Sequence, residues 1–150
     1  MPLSAHLASW RQTLSQAVRL IRRARRFKVR EMAARMGMKS RSYEYFESGR
    51  ARPNLERIHQ LAQMSDADAH AVLAAMAMGS PRFALRAADN KLMTTFLIRL
   101  EEFDCELGDA VALLETGAYV TAFGAAFDAL TLEVRRRQAE HGSPPPGSDP

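Results

Sequence analysis

Apolar residues return at every third or fourth position through most of this chain, and nowhere does a period-two alternation run long enough to make a strand. That regularity limits the chain to helices packed on helices, an all-α fold. From Ala8 to Arg26, Leu14, Val18 and Ile21 define one face while arginines occupy the other. A short second helix from Val29 to Met36 carries Met32, Ala33 and Met36 on one side and stops at Gly37. A third follows almost at once, from about Ser40 to Ser48, with Tyr43 and Phe46 facing inward and Gly49 closing it. Asn54, after Pro53, can cap a fourth helix carrying Leu55, Ile58, Leu61 and Ala62, and Ser65 or Asp66 a fifth that runs to about Met78.

Gly79, Ser80 and Pro81 form the clearest interruption, because proline removes a donor and Gly-Ser loosens the chain. The expected organisation is a five-helix domain over 1–78, a linker over 79–81, a second helical domain over 82–141 and a disordered tail over 142–150, where Gly, Ser, Pro and Asp supply no core. In the second domain Asp89 can cap a helix whose stripe is Met93, Phe96, Leu97, Leu100, Phe103 and Leu107, and Asp109 a shorter one ending near Leu114. After Gly117, Val120, Phe123, Phe127, Leu130 and Val134 recur at 3,4,3,4 spacing, the a/d seam of a coiled coil or helical hairpin. So short a seam needs a partner, either the Met93 to Leu107 stripe of the same chain or a second copy across a dimer interface.

Charge is divided unevenly. Residues 1–60 hold 14 Lys or Arg against 4 acids, a balance of +10, whereas the rest of the chain carries 7 basic and 13 acidic residues, a balance of −6. A basic half beside an acidic half suits one part facing phosphate and another serving assembly or partner binding; a solvated basic face is the alternative. No apolar run approaches the length of a membrane span and no signal peptide opens the chain, so a cytoplasmic protein is expected. Cys105 is the only cysteine and is read as a small buried apolar residue; His6, His59, His70 and His141 lack ligand spacing, so no metal and no cofactor are expected. No nucleophile with an adjacent base and no glycine-rich phosphate loop can be defended, which argues against an enzyme.

The second and third helices, joined by a tight turn at Gly37-Met38-Lys39, make a bihelical unit whose short connection forces a large crossing angle and projects the second helix from the surface. With Arg22, Phe27, Glu31-Met32-Ala33, Gly37, Ser42-Tyr43, Phe46-Glu47-Ser48-Gly49, Arg52-Pro53 and Leu61-Ala62 at their spacings, the stretch from Leu20 to Leu61 resembles the lambda-repressor/Cro-type (XRE family) helix-turn-helix domain. The resemblance implies a DNA-binding regulator, and it implies a salt bridge between Arg22 and Glu47. Two positions depart from the family pattern, since Lys28 and Val29 stand where it usually has a Ser, Thr or Asn cap followed by Gln.

In this register the third helix exposes Lys39, Ser40, Arg41, Glu44 and Tyr45, while Ser42, Tyr43, Phe46 and Glu47 face inward or sideways. Arg41 is the leading base reader, because a guanidinium can bind guanine O6 and N7 bidentately; Ser40, Glu44 and Tyr45 are candidates for neighbouring base edges, and a phosphate contact is the alternative role for Arg41. Lys28, Arg30, Lys39, Arg50 and Arg52 are assigned to backbone phosphate.

The expected function is a homodimeric repressor binding palindromic double-stranded DNA, paired through Phe96, Leu100, Phe103, Val120, Phe123, Phe127, Leu130 and Val134. The alternatives are an antitoxin-like or partner-binding protein, or an activator touching RNA polymerase through Glu101, Glu102, Asp104 and Glu106. A ligand pocket among Met93, Phe96, Phe123 and Phe127 is set against their being simple core.

Overall fold

The computed structural model describes residues 3–142, with side chains from Ser9 onward, and among the described residues it is built of helices without strands. The helices are α1 (Leu3–Ala24), α2 (Val29–Arg35), α3 (Ser40–Glu47), α4 (Leu55–Met64), α5 (Ala69–Met78), α6 (Pro81–Arg86), α7 (Leu92–Leu107) and α8 (Thr116–Gly142), with a 3-10 segment at Gly108–Leu113. α1 begins earlier than its apolar stripe, at Leu3 rather than Ala8, and ends at Ala24, where Arg26 takes a left-handed φ of 58°. Gly142 closes α8, and the remainder of the expected tail lies outside the described residues.

Among the described residues two compact units divide after Glu102, and not at 79–81. Gly79 is the left-handed cap of α5 (φ 65°), Ser80 N–H returns to the Ala75 carbonyl at 2.9 Å, and Pro81 opens α6, which packs on α1 and α5 and buries Ala84. Proline at the first helical position lacks only a donor that would have been orphaned anyway, so the residues read as a linker form a tight corner.

The core of the first unit gathers Leu14, Val18 and Ile21 of α1, Met32 and Met36 around α2, Tyr43 and Phe46 of α3, Ile58 and Leu61 of α4, and Val72 and Met76 of α5, with alanines where backbones approach closely. Leu55 does not join them; at the first turn of α4 it is 63% exposed. Asn54 caps α4 by accepting the Arg57 N–H at 3.0 Å.

Asp68, neither Ser65 nor Asp66, caps α5. Its buried carboxylate accepts His70 N–H at 3.0 Å and also takes Thr94 N–H at 3.0 Å and the Thr94 hydroxyl at 2.8 Å, fastening the start of α7 to α5. Asp89 does not cap α7 but pairs with Arg25, while Asn90 accepts the Leu92 N–H at 3.1 Å. Burial alone would raise the Asp68 pKa, but hydrogen bonds from Thr94, His70 and Ala71 outweigh it and hold the carboxyl below its ordinary value. The stabilisation is therefore complete above the ordinary carboxylate pKa of about 4 and is lost as pH falls through the lowered value. Asp68→Ala is expected to cost about 2–4 kcal/mol at neutral pH, from the lost cap and the orphaned Thr94 donors. Thermal melts of variant and wild type should converge in acid; a constant gap at all pH values would show that the carboxylate charge is not what holds the corner.

In the second unit the Tyr119 hydroxyl donates to the Val111 carbonyl at 3.3 Å, joining the 3-10 segment to α8. No described residue of α8 is buried, and Val120, Phe127, Leu130 and Val134 are each more than half exposed. From Thr116 to Phe127 α8 has no charged residue; beyond it, Arg136 and Arg137 pair with Glu133 and hold its pKa down at about 2. Cys105 is exposed and free, which corrects its assignment to the core; it lies on a part of α7 where no residue is buried. No helix is long and apolar enough to cross a membrane among the described residues.

Candidate functional site

α2 and α3 are separated by Gly37, whose φ of 62° is available to glycine at little cost; the Met38 N–H bonds back to the Ala33 carbonyl at 2.8 Å and the Gln60 amide of α4 donates to the Met36 carbonyl at 2.8 Å. The turn is thus closed from within and clamped from α4. Where Lys28 stands in place of a capping hydroxyl or amide, Glu31 reaches back to accept the Lys28 N–H at 2.7 Å, half of a capping box. Behind the turn Arg35 lies over the Phe27 ring, 4.2 Å from its centroid.

α3 is held at its end by α1. Arg22 Nε donates to Glu47 Oε2 at 2.9 Å and Oε1 at 3.2 Å, Nη2 donates to Oε1 at 2.7 Å, and Nη1 goes to the Phe27 carbonyl at 2.9 Å. Ser15 Oγ donates to the Glu47 carbonyl at 2.6 Å, and Arg19 stays 3.8 Å from the same carboxylate. Glu47 is buried, so the Arg22 fork supplies the hydrogen bonds that water would otherwise give; the same bonds raise the Arg22 pKa against the opposing effect of its burial. Beside them Tyr43 is fully buried, and burial, followed by the nearby Glu47 carboxylate, pushes its phenol pKa well up, so it stays neutral.

With Tyr43, Phe46 and Glu47 turned inward, the opposite face of α3 is open. Lys39, Arg41, Ser42, Glu44, Tyr45 and Arg50 line one concave surface, Ser48 at its edge, and Tyr45 is 53% exposed there. Ser42 belongs to this outer face and not to the inner one, and Ser40 is exposed at the first position of α3. Lys28, Arg30 and Arg52 are exposed as well, but none of them lines the concave surface. Phe96 and Leu100 fall in the first unit, on exposed positions of α7; Phe103 is half-buried in the second, where Val120, Phe123, Phe127, Leu130 and Val134 are exposed on α8.

Residues 13–75 match the family model described as a helix-turn-helix domain. No curated protein and no solved structure matches the chain. Residues 13–75 therefore carry a helix-turn-helix domain, formed by α2, the Gly37 turn and α3 on the support of α1, α4 and α5. The sequence pointed to α3 but carried no signal for a cluster along one face of α1. Arg11, Gln12, Gln16 and Arg19 meet Ser48 and Gly49 only in three dimensions.

Proposed function

We propose that the protein is a sequence-specific DNA-binding transcriptional repressor of the cytoplasm, acting as a homodimer on a palindromic operator. The supporting observation is the division of α3 into a buried side that anchors it and an uncovered side bearing Arg41 with Ser42, Glu44 and Tyr45. Arg41 reads guanine through two parallel hydrogen bonds, Ser40, Glu44 and Tyr45 meet neighbouring base edges, and Ser42 joins them. Lys39 and Arg50 flank that face and grip phosphate, with Lys28, Arg30 and Arg52 as outer contacts. Two copies joined through α8 would set two reading helices about 34 Å apart, one turn of DNA. Occupancy of a promoter then excludes polymerase.

Genome-wide immunoprecipitation of wild type beside Arg41→Ala tests the reading. Sharp wild-type peaks sharing a palindrome are expected, and in the variant the preference at one base position should fall by about 1–3 kcal/mol, roughly 5- to 150-fold. Absence of enrichment with wild type would overturn DNA recognition. Equal sharpness in both proteins would remove Arg41 from the base contacts.

A further inference from the structure

A second cleft lies between α1 and the end of α3, lined by Arg11, Gln12, Gln16 and Arg19 on one side and Ser48 and Gly49 on the other. Residues 11, 12, 15, 16 and 19 repeat at the spacing of one helix face, and Ser15 in their midst is the residue that bonds the Glu47 carbonyl. The floor of the cleft depends on Gly49: its φ is 76°, and a Cβ there would stand 2.9 Å from the Arg11 carbonyl oxygen and 3.2 Å from the Ser15 Cβ. The loop after α3 is thus drawn against α1 as closely as backbone allows.

The cationic groups of this cleft are not consumed by the fold. Arg11 Nε is buried yet has no hydrogen-bond partner among the described residues, and the Arg19 side chain is half exposed, at 3.8 Å from a carboxylate already bonded by Arg22. Arg11 as a whole is only half-buried and lines the cleft, so the rest of its guanidinium is open to an anionic partner there. Ser48 lines both this cleft and the outer surface of α3, so the two adjoin at that residue. We propose that the cleft is a further backbone site, in which Arg11 and Arg19, assisted by Gln12 and Gln16, hold a phosphodiester of the same duplex that α3 reads. The inference rests on the DNA-binding reading and extends its footprint past the end of α3 onto α1.

The test is a salt titration of binding to a fluorescein-labelled random-sequence duplex, from about 50 to about 200 mM salt, with wild type, Arg11→Gln, Arg19→Gln and Arg23→Gln. Arg23 is exposed on α1 outside the cleft and controls for loss of one charge. Each cleft variant is expected to lower the slope of log K against log salt by about 0.9 while Arg23→Gln leaves it unchanged. In a second arm the Ser48 and Gly49 amide signals are followed by NMR, and in wild type the duplex should shift them. Slopes unchanged in the cleft variants, or reduced equally by Arg23→Gln, overturn the site while leaving DNA binding standing. Amide shifts caused by inorganic phosphate and not by duplex would overturn the duplex as ligand. A wild type that binds no duplex overturns the DNA reading itself.

Discussion

Arg22→Met should lower the melting temperature of the protein by about 12 °C or more. Glu47 is only 5% exposed, and without the Arg22 fork its carboxylate is left buried with Arg19 at 3.8 Å, too long and too exposed a contact to replace the lost hydrogen bonds. Stranding one partner of a buried pair costs about 3–5 kcal/mol, and each kcal/mol is worth roughly 4–8 °C in a domain of this size. The double variant Arg22→Met/Glu47→Leu should recover most of the loss, because it removes the buried charge along with its partner. Scanning calorimetry of the three proteins decides the matter. Equal melting of the single and double variants would show that the pair is not what secures the end of α3.

On the proposed pairing through α8, Phe127→Ser/Leu130→Ser is expected to yield a monomer in sedimentation where wild type is a dimer, and to weaken binding to a two-half-site operator by about 100-fold or more, with binding to an isolated half-site unchanged. Both side chains are more than half exposed and belong to the second unit, so their loss leaves the core around α1 intact. Joining two binding modules multiplies affinity by about 10²–10⁴ through effective concentration alone, and that factor is what the variant forfeits. A variant that stays dimeric would move the pairing surface elsewhere; a monomeric variant with undiminished two-site affinity would separate dimerisation from DNA binding.

Much of the first unit was legible because its constraints are local. Gly37 and Gly49 mark turns by a backbone conformation that other residues resist, and Met32, Met36, Tyr43 and Phe46 fall on faces fixed by helical period. The Arg22 and Glu47 pairing followed from family resemblance, not from spacing, since 25 residues separate the two. α6 was missed because its one fully buried residue is an alanine, Ala84, too weak an apolar signal to stand against the Gly-Ser-Pro corner ahead of it. The α5 cap was missed for a different reason: Ser65, Asp66 and Asp68 are equally good caps in sequence, and the bonds from Thr94, 26 residues away, select Asp68. The α1 cleft lay beyond reach because the resemblance begins at Leu20 and contact between Arg11 and Gly49 is a tertiary fact. In the second unit the heptad seam was visible, but periodicity names a face without naming what covers it.

Among the described residues every member of the hydrophobic core cluster lies between Leu14 and Ala88, whereas α8 follows from Thr116 onward. During synthesis the helix-turn-helix domain therefore has its core before the proposed pairing surface has left the ribosome, and domains generally fold in that order. On the proposed function, newborn chains are then readers that have not yet met one another. Their conversion to the tight-binding form is second order in protein, so doubling expression would raise the paired species up to fourfold while pairs are scarce. A regulator assembled in the proposed way would respond to its own gene dosage more steeply than in proportion.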